Sequence, residues 1–145
     1  PLAWSSAASD VYKRQVPQAD HRPERWATII REAVEQCERL WTPHLLDLKD
    51  LSQWMGDERG QRLVGVTRET APPALDQWLR HQADPVQLTW LMVGPEGGWT
   101  QEELKQFSEA QIQPVQMGSN ILRSSTAAVA GAVELVRWRD GLISS

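Results

Sequence analysis

The stretch LTWLMVGPEGGWTQEEL, residues 88–104, decides the fold of this 145-residue chain. Its first six residues, Leu88 to Val93, form a continuous apolar run, which is typical of a strand buried on both faces of a parallel sheet. A glycine-rich turn follows, and behind it Thr100 and Glu103 have the spacing of a capping box that begins a helix. A strand, a glycine turn and a helix in this order predict one repeating unit of an α/β domain.

Segments of similar size extend this unit in both directions. Apolar spacing predicts helices over Trp26–Trp41, 51–55, 74–81, 100–110 and 126–138, and strands at 44–48, 62–67 and 113–117. The alternation predicts an α/β fold with a mostly parallel sheet flanked by helices. Residues 1–20 begin with a Ser/Ala-rich stretch without a clear period, so we expect a poorly ordered leader of non-native origin before a domain at 21–145.

Composition narrows the function classes. The chain has 15 Lys and Arg against 19 Asp and Glu, and this net charge of -4 argues weakly against a self-sufficient nucleic-acid binder. A single cysteine excludes an internal disulfide and suits a reducing compartment. No apolar run reaches the length of a membrane span. The three histidines lie far apart in sequence and match no metal-ligand spacing, so no metal is expected.

Two glycine-containing loops are the candidate binding elements. The first loop covers Val93–Thr100 and the second covers Met117–Thr126, and we expect them to leave adjacent strands at the carboxyl edge of the sheet, where α/β domains bind ligands. Glycine lets the main chain approach a flat ring closely. Two tight turns without a ligand are the alternative. The dinucleotide fingerprint and the phosphate-binding P-loop are excluded, because the glycine spacing differs and no Lys-Ser/Thr pair follows.

The loops also carry a resemblance. VGPEGGWTQEEL (93–104), MGSNILRSSTAA (117–128) and RWATIIREAVEQCERLWTP (25–43) resemble, in this order, the signature segments of RsmE-like 16S ribosomal RNA uridine-N3 methyltransferases of the SPOUT class. The resemblance implies a C-terminal trefoil knot, S-adenosylmethionine as cofactor, small-subunit rRNA as substrate, a homodimer and a cytoplasmic location. Two alternatives stay open: another SPOUT methyltransferase acting on a ribose 2′-hydroxyl or on tRNA, and an inactive cofactor-binding or dimerisation module.

The resemblance also implies site residues. The cofactor-binding positions would be Val93, Gly94, Pro95, Glu96, Gly97, Gly98, Met117, Gly118, Ile121, Leu122, Arg123 and Thr126. Gln36 and Arg39 would face the RNA. Either Arg39 or Arg123 would stabilise the negative charge that develops on uracil as its N3 loses a proton, and Glu96 would either accept that proton or brace the first loop.

Two departures from the family's pattern bear on activity. Ser125 stands where the family often has Glu, which removes a charge from the second loop. Family members also carry an N-terminal β-barrel RNA-binding domain and a first strand and helix, and we expect these to be missing here. The sequence therefore predicts that this chain binds cofactor weakly and methylates RNA poorly.

Overall fold

The computed structural model describes residues 2–4, 23–46, 50–56, 59–67, 72–82 and 88–143. Within these ranges the elements are β1 (Leu2–Trp4), α1 (Pro23–Gln36), α2 (Leu51–Met55), β2 (Gln61–Gly65), α3 (Leu75–Arg80), β3 (Thr89–Val93), α4 (Gln101–Glu109), β4 (Gln113–Val115) and α5 (Ser124–Ile143). The described strands form one sheet in the order β1-β3-β2-β4, and each pair is parallel. The predicted α/β fold with a mostly parallel sheet flanked by helices is confirmed.

The strand order explains why helices cover both faces. The chain moves from β2 to β3 through α3 and then steps back across β2 to β4 through α4. Right-handed crossovers that run in opposite directions place their helices on opposite faces of the sheet. Alternating side chains follow this arrangement: Leu63 and Leu91 pack into the core on the α3 and α5 face, whereas Val64 and Met92 pack with Phe107 of α4.

The chain divides into two compact units, residues 8–48 and the remainder, and each is described by itself. The first unit contains α1, which begins at Pro23, ahead of the predicted start at Trp26, because proline is favoured in the first turn. Its least exposed side chains, Trp26, Ile30 and Val34, recur every four residues and form one stripe. The helix ends at Gln36 and not at the predicted residue 41, since Glu38 takes a left-handed conformation (φ 54°) that stops it.

The prediction of a poorly ordered leader is wrong at Leu2–Trp4. This segment is β1, and it pairs in parallel with Leu91–Val93 of β3 at the border of the sheet. Three residues are too few to show periodicity, and their pairing partner lies far along the chain, so local pattern gave no signal. Residues 5–20 lie outside the described residues, and the prediction there stays a prediction.

The other boundaries differ from the predictions by a few residues, with one exception. The predicted strand at 44–48 is wrong over its described part, because residues 44–46 are exposed and have no regular structure. The last helix begins at Ser124, with the Ala127 amide donating to the Arg123 carbonyl at 2.8 Å. Thr126 therefore lies inside the first turn of α5 and does not cap it. The predicted capping box of α4 is confirmed below.

Candidate functional site

All four described strands end at the carboxyl edge of the sheet. The two glycine-containing loops therefore both start at this edge. Gly65, the last residue of β2, lies opposite Val93 of β3 and opposite Val115 of β4. The prediction that the loops leave adjacent strands is wrong, because β2 lies between β3 and β4. Two strand spacings separate the strand ends, a distance of about 10 Å. The loops therefore flank the end of β2.

The first loop is built on glycine geometry. The Gly98 amide donates to the Pro95 carbonyl at 2.9 Å, which closes a turn, and Gly98 has a φ of +78° that favours glycine. A Cβ built on Gly97 or Gly98 meets no atom within 4 Å. Internal packing therefore does not require glycine at residue 97. Because Gly97 has no side chain, the main chain there is accessible to a ligand.

A capping box ends this loop and starts α4. The Thr100 hydroxyl accepts from the Glu103 amide at 3.2 Å, and the Thr100 amide donates to the Glu103 carboxylate at 2.8 Å. The two interactions give hydrogen-bond partners to the backbone amides of Thr100 and Glu103 at the start of the helix, so the predicted capping box is confirmed. The box fixes where the loop stops and the helix begins.

The second loop encloses most of a cavity. The cavity has a volume of about 70 Å³ and an open mouth, so it could hold only part of a small-molecule ligand. Its lining consists of Val66, Thr67, Gln116, Met117, Gly118, Ser119, Asn120, Ile121, Leu122 and Ala127. Among the residues that the structure describes, no charged side chain belongs to this lining. A neutral, flat group held by peptide groups and apolar side chains would suit it better than a phosphate.

The structure brings together only part of the predicted cofactor residues. Met117, Gly118, Ile121 and Leu122 line the cavity, whereas Arg123 and Thr126 follow it along the chain. The predicted residues of the first loop, Val93 to Gly98, lie at and after the end of β3 and are outside the lining. The intervening strand β2 is the reason, since it holds the two loops apart.

Sequence reasoning missed the contribution of β2. Val66 and Thr67, which follow this strand, line the cavity beside the second loop. Backbone hydrogen bonds also join the start of α3 to the lining residue Gln116: its amide donates to the Pro73 carbonyl at 3.0 Å, and the Leu75 amide donates to its carbonyl at 2.8 Å. The signal was available, because RLVGVT was predicted as a strand and its end must reach the same edge.

The charged candidates lie on the surface. Glu96 is exposed at the tip of the first turn, and within the described part of the chain no hydrogen bond or ion pair engages its carboxylate. This offers no contact for a bracing role inside the loop. Arg123 is exposed at the start of α5. Gln36 and Arg39 are exposed in the other compact unit, and their approach to the cofactor loops stays a prediction.

None of the described helices has the length and apolar character needed to cross a membrane. Among the same residues, no three His, Cys, Asp or Glu side chains are grouped so that they could hold a metal ion.

Comparison with known proteins supplies the family. A family model described as an RNA methyltransferase domain matches residues 3–135. Ribosomal RNA small subunit methyltransferase E of Synechocystis sp. is 34% identical over 120 residues, covering 81% of this chain and 39% of that protein. The protein of the same name from Mycobacterium tuberculosis is 32% identical, covering 94% of this chain and 54% of that protein. The chain thus spans about half or less of the length of these relatives.

Solved structures agree with this result. A methyltransferase from Legionella pneumophila, in complex with the cofactor SAM, is 25% identical with a TM-score of 0.68 and covers 97% of this chain and 54% of that one. A ribosomal RNA small subunit methyltransferase E from Neisseria gonorrhoeae, bound to S-adenosyl methionine, is 27% identical with a TM-score of 0.63, covering 95% and 54%. The chain therefore belongs to the RNA methyltransferase domain family, and within that family it is RsmE-like.

Proposed function

We propose that this chain carries the cofactor-binding and catalytic part of an S-adenosylmethionine-dependent methyltransferase that acts on N3 of a uridine in small-subunit (16S) rRNA. The relatives' names and the SAM-bound neighbours support the reaction class. The observation that carries the proposal is the pair of glycine loops flanking Gly65 at one sheet edge, beside a cavity whose described lining residues carry no charge.

We assign the cofactor's adenosine to the surface of the second loop. A Cβ built on Gly118 meets no atom nearer than 3.8 Å, so this glycine, like Gly97, leaves room for a ligand against the main chain. Ile121 is 64% exposed although it is apolar, and Leu122 is half-buried beside it. These two side chains would cover the faces of a purine. When bound, S-adenosylmethionine supplies an activated methyl group on its sulfonium.

Side chains of this protein would accept the N3 proton of uracil and stabilise the negative charge that develops on its ring. Uracil N3 carries a proton that must leave as the ring attacks, and the exposed, unengaged carboxylate of Glu96 is the proposed acceptor. Arg123, exposed at the start of α5, would stabilise the negative charge on the ring. Arg39 is the alternative cation, and Gln36 with Arg39 would contact the RNA.

A homodimer and a trefoil knot belong to the same proposal. The apolar side chains Val129, Val133 and Val136 of α5 are 65%, 49% and 52% exposed and repeat at helical spacing, which favours a second copy of the chain on this face. The knot would form by tucking α5 through the loops after Gly94 and Gly118. A cytoplasmic location would follow from the rRNA substrate.

A charged substitution in the apolar stripe of α5 tests the proposed dimer. Val133→Asp would place a carboxylate in the middle of this apolar stripe, and we expect it to convert a dimer into monomers because a buried unpaired charge is costly. Sedimentation velocity on the wild type and the variant measures the change, and Arg139→Asp, at an exposed position of the same helix, tests for a general effect of charge. A monomeric wild type would contradict the dimer.

The reaction can be tested in two steps. Calorimetry with S-adenosylhomocysteine measures binding to the loops, and incubation with S-adenosylmethionine and small ribosomal subunits that lack the modification, followed by nucleoside mass spectrometry, identifies the product. We expect binding and 3-methyluridine, in low yield from this chain. A 2′-O-methylated product would favour another SPOUT enzyme, binding without product would favour an inactive module, and absence of binding would overturn the proposal.

A further inference from the structure

Gly65 is the point at which both loops meet the sheet. It is the register partner of Val93, from which the first loop leaves, and of Val115, which ends the strand before the second loop. Gly65 therefore lies between the origins of the two loops. A group that contacts Gly65 can affect both loops at once.

The first loop contacts Gly65 through a tryptophan. The Trp99 indole N–H donates to the Gly65 carbonyl at 2.8 Å. The same ring lies against Gly94, where a Cβ would sit only 2.9 Å from the indole Cε2. Phe107 of α4 supports the ring edge-on, with centroids 4.9 Å apart at 83°. Trp99 therefore joins the start of the first loop, the end of β2 and the helix behind it.

The second loop contacts the same glycine through a methionine. The Met117 methyl lies so close to Gly65 that a Cβ there would overlap it, and the Met117 sulfur lies 3.1 Å from the Cβ position of Gly131 in α5. Met117 also lines the cavity. Gly65 thus receives a hydrogen bond from the first loop and a packing contact from the second.

We propose that Trp99 is a positioning residue whose indole N–H, held on the Gly65 carbonyl, keeps the two loops at a fixed separation. This inference rests on the proposed function, because that separation sets the width of the cofactor site. Phenylalanine would fill most of the same space and keep the contact with Phe107, but it has no N–H. The hydrogen bond is therefore the part that packing alone does not replace.

A matched pair of substitutions isolates this bond. Trp99→Phe deletes the indole–carbonyl bond at the carboxyl edge, and Trp90→Phe deletes a second one, from Trp90 Nε1 to the Arg59 carbonyl at 3.0 Å, near the opposite ends of the strands. Both variants lose one bond of the same kind, so we expect similar losses of global stability. Their effects on the loops should differ.

Amide hydrogen exchange on this chain is the deciding measurement. With Trp99→Phe we expect exchange about fivefold faster in residues 94–98 and also in 117–122, which a single lost hydrogen bond of ordinary strength would produce. With Trp90→Phe we expect faster exchange only around residues 59–61 and 88. Unchanged exchange in 117–122, or the same change in both variants, would overturn the proposal.

Cofactor binding separates this inference from the function on which it rests. We expect Trp99→Phe to weaken S-adenosylhomocysteine binding by about fivefold and Trp90→Phe to leave it unchanged. If the wild type binds no S-adenosylhomocysteine, the proposed function fails, while the exchange measurement still decides whether Trp99 couples the loops. If the wild type binds and both variants match it, the positioning role fails alone.

Discussion

The two edges of the parallel sheet use the same residue types for opposite purposes. At the amino edge, where the strands begin, contacts close the structure: the Gln61 amide donates to the Leu88 carbonyl at 2.7 Å, and the Trp90 indole reaches the Arg59 carbonyl. At the carboxyl edge, glycine loops surround a cavity. Contacts at the amino edge therefore stabilise the fold, whereas the carboxyl edge carries the candidate site.

Glycine shows the contrast most directly. Gly60, just before β2, has a φ of +77°, and a Cβ there would overlap the Leu88 carbonyl oxygen. Gly97 faces open space. The first glycine is required by packing and conformation, whereas the second is required only if a ligand occupies the space.

The largest expected effect is therefore on stability at Gly60. Gly60→Ala adds a side chain to a left-handed residue and forces it against backbone, so we expect a loss of about 2–4 kcal/mol in the free energy of unfolding. Urea denaturation measures the loss. Gly141→Ala, a helical glycine with open space around it, is the control and should not destabilise the chain. A Gly60→Ala variant as stable as wild type would show that neither packing nor conformation requires glycine at this residue.

Arg62 should have the next largest effect. Its guanidinium donates to the Met55 carbonyl and to the Ala110 carbonyl, both at 2.8 Å, and so joins the ends of α2 and α4 at the amino edge. Arg62→Met should lower the free energy of unfolding by about 2 kcal/mol, because two half-buried carbonyls lose a charged donor. Arg80→Met should cost at most about 0.5 kcal/mol, since its ion pair with Asp76 is exposed. Equal losses would contradict the special role of this edge.

At the carboxyl edge, the expected effect is on binding. Gly97→Leu should leave the melting temperature unchanged, because the added side chain meets open space. It should weaken S-adenosylhomocysteine binding at least about tenfold, which is about 1.4 kcal/mol, by blocking the main chain. Gly141→Leu is the matched control at a second open glycine. Full affinity in Gly97→Leu would show that the first loop does not contact the cofactor.

The smallest effect is expected at Glu134 of α5, outside both edges. Burial raises the pKa of this carboxyl, the nearby Asp76 raises it further, and Arg137 lowers it. The folded state then binds more protons than the unfolded state between the two pKa values, so stability falls as pH rises through that interval. Glu134→Gln removes the cost and should raise the melting temperature slightly at neutral pH.

Acidification supplies the check on this assignment. Below the ordinary pKa of glutamate the carboxyl is protonated in both states, so the advantage of Glu134→Gln over wild type should vanish there. Glu109→Gln removes an exposed carboxylate that pairs weakly with Lys105 and should show no such gain at neutral pH. An advantage that grows on acidification would contradict the raised pKa.

Local pattern predicted most of the secondary structure but little of the register. The apolar run of β3, the Thr100–Glu103 capping box and the glycines of both loops are signals within a few residues of each other. The placement of β2 between β3 and β4, and of Leu2–Trp4 beside β3, depends on pairing between distant segments. The predicted strand RLVGVT indicated that Gly65 and Thr67 reach this edge, but only the strand order places them between the two loops.

Gly131 illustrates a second kind of omission. The sequence of α5 reads as a helix that is apolar nearly all round, and this glycine is inconspicuous within it. In the structure a Cβ at this residue would overlap the side chain of Leu91. The glycine thus permits close approach of α5 to β3, and such a requirement is set by the facing element and not by the helix itself.

The central position of β2 sets the distance between the origins of the two loops. The origins of the loops, as distinct from the loop segments that Trp99 positions, are separated by two strand spacings, a length set by backbone hydrogen bonding between strands and independent of how many residues either loop contains. Insertions in one loop would change the shape of the opening without altering this span. A slip of β2 by one residue would instead turn each of its side chains to the opposite face of the sheet. It would also place a branched valine side chain where Gly65 now lies. Evolution of ligand preference in this chain would accordingly be expected to act on loop length and composition while the strand remains in register.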